Sequence, residues 1–133
     1  MTADDRQQLI AEATRARDNA VAPFSKFKVG AALRTTGGRI FRGCNVENCT
    51  YGLTVCAERV ALLSALAAGE RGFEAIAVVT QSEAPSTPCG PCRQLMWEFC
   101  GDVEVVLANL AGLTRDFKLS QLFPEPFNFS LED

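Results

Sequence analysis

Phe73-Glu74-Ala75-Ile76-Ala77-Val78-Val79-Thr80 is an apolar run rich in β-branched residues, carries one charge, and has the length of a strand. Apolar side chains occupy both alternating sets of positions, which predicts a strand buried on both faces. Such a strand needs helices above and below it, and the flanking sequence offers them. Upstream, Val55 to Ala68 has helical spacing, with Thr54 as the expected N-cap and Gly69 as the stop. Downstream, a helix is expected from about Cys89-Gly90-Pro91 to Cys100-Gly101, then a second buried strand from Val103 to Ala108. Farther upstream, Leu9, Ile10, Ala13, Ala16 and Ala20 predict a helix from Asp4 to about Ala20, behind acids that suit a helix start. Phe27 to Leu33 and Arg39 to Val46 flank Thr35-Thr36-Gly37-Gly38 and read as a β-hairpin. A short strand around Asp116 to Leu119 and an irregular tail end the chain.

The order α-β-β-α-β-α-β-β predicts an α/β fold, a three-layer α/β/α sandwich around a mixed five-stranded sheet. Parallel crossovers are expected where helices separate the strands. No linker or repeat interrupts the chain, so residues 1–133 read as a single domain. Asn109 to Arg115 is too short for a parallel return, which takes roughly a dozen residues or more. The last two strands are therefore expected to be antiparallel.

Hydrophobic residues make up 47% and charged residues 22% of the 133, as in a globular protein and unlike a disordered one. A net charge of −3 and scattered basic residues argue against a nucleic-acid partner. The start, Met1-Thr2-Ala3-Asp4-Asp5, has early acids and no apolar run behind a basic segment, so no secretory signal is expected. The longest apolar stretch, Val60 to Ala68, falls short of the roughly 20 residues of a membrane helix. A cytoplasmic location without membrane contact is the expectation, and six cysteines there point to metal binding or catalysis rather than disulfides.

Histidine is absent, so metal binding and proton transfer must use other side chains. Cys56-Ala57-Glu58 opens one expected helix, and Pro88-Cys89-Gly90-Pro91-Cys92 opens another. Three thiolates from Cys56, Cys89 and Cys92 suit zinc and leave a fourth tetrahedral position for water. Helix N-termini beside the sulfurs favour the thiolate form. Glu58, within a turn of Cys56, is placed to move protons to and from that water, whose pKa zinc lowers to about 7. Spacing alone leaves open a fourth thiolate from Cys44, Cys49 or Cys100, which would close the site, although each reads first as a small buried hydrophobe. It also leaves open a redox dithiol at Cys89-x-x-Cys92, but such a pair has no use for Cys56-x-Glu58.

The pattern Cys-x-Glu followed by Pro-Cys-x-x-Cys is the general signature of zinc deaminases. With Phe24-Ser25-Lys26-Phe27-Lys28-Val29-Gly30-Ala31-Ala32, Gly43-Cys44-Asn45-Val46-Glu47-Asn48, Tyr51-Gly52-Leu53-Thr54, Cys56-Ala57-Glu58-Arg59 and Pro88-Cys89-Gly90-Pro91-Cys92-Arg93-Gln94, the chain resembles the small cytidine deaminases over nearly its whole length. The resemblance implies one Zn²⁺ per subunit on Cys56, Cys89 and Cys92, with Glu58 as the proton carrier. It implies that Asn45 and Glu47 bind the ribose hydroxyls, that Phe24 and Tyr51 flank the nucleoside, and that the main chain near Ala57 reads the base. Arg59 would hydrogen-bond the sulfurs; three thiolates and Zn²⁺ sum to −1, and a guanidinium offsets that charge. The implied reaction is hydrolytic deamination of cytidine and deoxycytidine to uridine and deoxyuridine plus ammonia by a zinc-activated hydroxide, a step of pyrimidine salvage. The resemblance further implies a homotetramer in which Phe127, from the tail Leu122 to Phe129, closes a neighbour's pocket. That aromatic tail, stiffened by Pro124 and Pro126, has no evident place in its own core.

Overall fold

The computed structural model describes residues 1–128. The elements are α1 (Ala3–Arg17), β1 (Gly30–Thr35), β2 (Ile40–Cys44), α2 (Ala57–Ala67), β3 (Phe73–Thr80), α3 (Gly90–Cys100), β4 (Glu104–Asn109), β5 (Thr114–Lys118) and a short α4 (Leu119–Leu122). Five strands form one sheet in the order β2-β1-β3-β4-β5. β1 is antiparallel to both β2 and β3, β3 and β4 are parallel, and β4 and β5 are antiparallel. The mixed sheet and the antiparallel final pair are as the spacing predicts.

β3 is buried along nearly its whole length, and its two faces meet different helices. Ala75, Ala77 and Val79 join Ala32, Val106 and Ala108 against Leu9 and Ala13 of α1. Ile76 and Val78 join Leu33, Val105 and Leu107 against Ala57, Ala61, Leu62 and Ala65 of α2 and Met96 of α3. The period of two thus sorts one strand into two cores. On the α1 side the residues are mostly alanines, which lets that helix lie close to the sheet. α1 opens with a reciprocal cap: Thr2 Oγ1 accepts from Asp5 N at 3.0 Å and Asp5 Oδ2 accepts from Thr2 N at 2.9 Å.

Several expected boundaries move, each for a physical reason. α1 stops at Arg17 rather than near Ala20, because Asp18 and Asn19 turn the chain. β1 starts at Gly30, not Phe27. The Asn45 side chain takes the place of a strand partner there, accepting from Val29 N at 2.9 Å and donating to Phe27 O at 2.8 Å. α2 starts at Ala57 with Cys56 as N-cap, so Thr54 is not the cap. Val55 is held extended by an antiparallel bridge to Val46, and tertiary pairing overrides the helical spacing. β4 runs Glu104–Asn109 and β5 runs Thr114–Lys118, with the hairpin set by Asn109, whose Oδ1 accepts from Ala111 N and Leu113 N. The tail is not wholly irregular: Asp102 accepts from Ser120 N at 2.7 Å and secures the single turn of α4.

Candidate metal centre and active-site cleft

The N-termini of α2 and α3 converge, and their N-cap residues are Cys56 and Cys89. Pro91 in the first turn of α3 starts that helix without losing a needed N–H. Cys92 lies one turn in and is fully buried. The three Sγ atoms lie within 4.8 Å of one another, with Cys56–Cys89 at 3.8 Å and Cys89–Cys92 at 3.2 Å. Three sulfurs about 2.3 Å from one tetrahedral ion would stand about 3.8 Å apart, so the residues fit zinc. Among the described residues no fourth cysteine joins this group. Cys44 and Cys100 are partly buried elsewhere, where burial raises both thiols, Cys100 to about 12, and Cys49 is exposed. The reading of a closed four-cysteine site finds no support.

The electrostatics favour a thiolate at Cys56. Its thiol is lowered to about 5, first by hydrogen bonding with Cys92 and then by Cys89 and Arg59, against the opposing effect of burial. Cys92 is raised, because it shares its proton with Cys56 and is buried beside the Glu58 carboxylate. Arg59 Nη2 donates to Thr54 O at 2.8 Å and lies 3.9 Å from Cys56 Sγ. Its Nε is buried without a hydrogen-bond partner among the described residues. The guanidinium therefore sits against the sulfur cluster and away from bulk solvent.

Glu58 is only 5% exposed, and desolvation, reinforced by the nearby Cys56 charge, holds its carboxyl above the usual range. It lines a cleft of about 290 Å³ together with Asn45, Cys56, Ala57, Cys89 and Thr87. The cleft lies beyond the C-terminal end of β3, the usual ligand-binding end of a parallel strand pair. Thr54, Val55, Ser86 and Thr87 also line it and were not singled out as site residues from the sequence. Ser86 and Thr87 carry no motif of their own; only their place between a buried strand and Pro88 could have marked them.

The other expected substrate contacts stand apart from that lining. Glu47 accepts from Phe24 N at 2.9 Å, from Ser25 N at 3.1 Å and from Ser25 Oγ, and those bonds hold its carboxyl below the ordinary range. Phe24 meets Tyr51 edge to face, with ring centroids 5.1 Å apart. Tyr51 is 67% exposed on a tight loop, at a φ of 54°. Phe127 is 68% exposed and is held through its backbone by Gln94. Phe129, the tail's last aromatic, lies outside the described residues. A separate cleft of about 260 Å³ lies between the start of α1 and the β4–β5 edge. It shares no residue with the sulfur cluster, and its Arg6 is already paired with Asp116 at 2.7 Å.

Comparison with known proteins agrees with this geometry. The profile of the cytidine and deoxycytidylate deaminase zinc-binding region matches residues 3–109. A cytidine deaminase from Halalkalibacterium halodurans is 50% identical over 124 residues, covering 92% of this chain and 94% of that protein. One from Sporosarcina psychrophila is 47% identical over 125 residues, covering 93% and 92%. The crystal structure of cytidine deaminase from Burkholderia pseudomallei superposes with a TM-score of 0.89 at 52% identity, covering 96% of this chain and 100% of that one. From its sulfur cluster, its buried glutamate and these likenesses together, the chain belongs to the cytidine and deoxycytidylate deaminase zinc-binding family.

Proposed function

We propose that this chain, as one domain, hydrolyses cytidine and deoxycytidine to uridine and deoxyuridine plus ammonia. One observation carries the reading: a buried carboxylate, Glu58, at the back of a cleft beside three sulfurs at zinc-binding distances. The relatives named as cytidine deaminases supply the substrate class. Cys56, Cys89 and Cys92 would hold zinc, which when bound would lower the pKa of water to about 7 and so supply a nucleophile at neutral pH. Glu58 takes the proton of the attacking water as the new C–O bond forms at C4 of the base, and it protonates the adjacent ring nitrogen. It then takes the remaining hydroxyl proton of the tetrahedral C4 and passes it to the amino group; as the C4–N bond breaks, the C4–O bond becomes the product carbonyl and ammonia departs. Arg59 offsets the thiolate charge so that acidification of water is not lost.

Asn45 on the cleft wall, and Glu47 two residues on with its carboxyl held below the ordinary range, support binding of the ribose hydroxyls. Phe24 and Tyr51 flank the nucleoside, and the main chain at Ala57 reads the base. The assembly is a homotetramer. Tyr51 and Leu53 stand exposed on the loop leading into cleft-lining Thr54, and Phe24 and Phe127 are exposed too, which leaves apolar surface for a second copy. No helix of the described residues is long and apolar enough to cross a membrane. The test mixes purified protein with cytidine and follows the ultraviolet change to uridine, with zinc measured in parallel. Zinc-loaded protein that leaves cytidine intact overturns the reading, and sedimentation of a fully active monomer overturns the assembly.

A further inference from the structure

The first turn of α3 carries Cys92, and the stripe just beyond it holds the C-terminal segment. Arg93, Gln94 and Trp97 share one helix face, since 93 and 97 are four apart and 94 and 97 three apart. The Arg93 guanidinium donates to three acceptors: Nε to Pro88 O at 2.7 Å, Nη2 to Thr87 Oγ1 at 2.9 Å, and Nη1 to Leu122 O at 2.6 Å. Thr87 lines the cleft, and Pro88 immediately precedes Cys89. Leu122 ends α4 and opens the segment held next along the stripe. There Gln94 bonds both backbone groups of Phe127, at 2.8 and 3.1 Å, and Trp97 Nε1 donates to Asn128 Oδ1 at 2.8 Å. A planar guanidinium fixes the directions of its N–H groups relative to one another, so the two segments it grips share one frame. An ammonium has no such fork.

We propose that Arg93 is a positioning residue that couples the seating of tail residues 122–128 to the loop 87–89 carrying a metal ligand, so that tail movement reaches the cleft wall at Thr87. It acts through its two carbonyl acceptors and the Thr87 hydroxyl, not by contact with the sulfurs. The coupling does not depend on the number of subunits or on the substrate.

Two signals read the two ends. Trp97 is the single tryptophan and bonds the tail, so acrylamide quenching of its fluorescence reads tail seating. Cobalt(II) placed in the cysteine site reads the thiolate arrangement through its sulfur-to-metal absorption band. Arg93→Ala should raise the quenching constant on the order of twofold, as expected for loss of a charge-assisted bond, and should also shift the cobalt band. Gln94→Ala, which loosens the tail while Arg93 still links it to the loop, should raise quenching and shift the band in the same direction by less than Arg93→Ala. Arg93→Lys, which keeps the charge and loses the fork, should move both signals in the same direction by less; if Arg93→Ala does not fold, this variant decides. An Arg93 variant that moves one signal and not the other overturns the proposal, as does Gln94→Ala raising quenching with the cobalt band unmoved.

Discussion

At the scale of single residues, the site turns a carboxylate and a guanidinium, one position apart, toward different surroundings. Glu58 is buried at the cleft, whereas Arg59 turns back to Thr54 O and Cys56 Sγ. Glu58→Gln keeps shape and volume but cannot carry a proton. It should retain zinc and the fold while losing activity by more than the ~10²–10⁴-fold of one positioned acid–base group, because the proposed mechanism assigns Glu58 several transfers. Steady-state rates beside metal content check this, and loss of zinc in step with activity would count against it. Arg59→Ala removes the positive charge from the sulfurs and should lower metal retention or activity by ~10–100-fold with nucleoside preference unchanged. Competition with a chelator, run beside cytidine and deoxycytidine kinetics, measures both parts. The grouping of the three cysteines with Glu58 was legible in sequence because motif spacing at helix starts is local. Glu47 was legible only as a residue type; its bonds to Phe24 and Ser25 join loops distant in sequence.

At the scale of elements, the position of α2 decides where Cys56 and Glu58 point, and Gly43 of β2 sets that position. A Cβ there would stand 2.2 Å from Ala57 O and 2.5 Å from Ala61 N, both backbone atoms of the helix. Gly43→Ala must therefore push α2 off the sheet. The expected cost is about 1–3 kcal/mol, as for overpacking in general, seen as a lowered thermal midpoint together with reduced turnover. Gly37→Ala, which meets only Thr35 Oγ1 at 3.8 Å, is the matched control and should change neither. Strand and helix existence followed from periodicity, β3 most clearly. Starts and stops did not, because Val55, Phe27 and Val29 are claimed by bridges and by the Asn45 side chain rather than by their own propensities.

At the scale of the whole molecule, the loops around the cleft are held by hydrogen-bonded charges that respond to acid. Glu47 has a folded-state pKa below its ordinary value, chiefly through the Ser25 hydroxyl and amide. A depressed carboxyl contributes stability that is present above its unfolded pKa of about 4.3 and lost as pH falls through the folded value. Thermal melts of wild type and Glu47→Gln should thus differ most above pH ~4.5 and converge on acidification. Curves that stay parallel down to pH ~3 would remove Glu47 from this role.

The sequence by itself determined the layered α/β architecture and the antiparallel last pair, and it singled out Cys56, Cys89 and Cys92, which the fold brings within 4.8 Å of one another. Each of these rests on short-range periodicity, on link length or on motif spacing, and those survive in a linear string. The tertiary structure alone decided that Asn45 replaces a strand partner, that Ser86 and Thr87 wall the cleft, and that Arg93 ties the loop before Cys89 to the tail. Those contacts join segments far apart along the chain, and a side chain's hydrogen-bond partner is set by which backbone groups the packed sheet and helices leave within its reach.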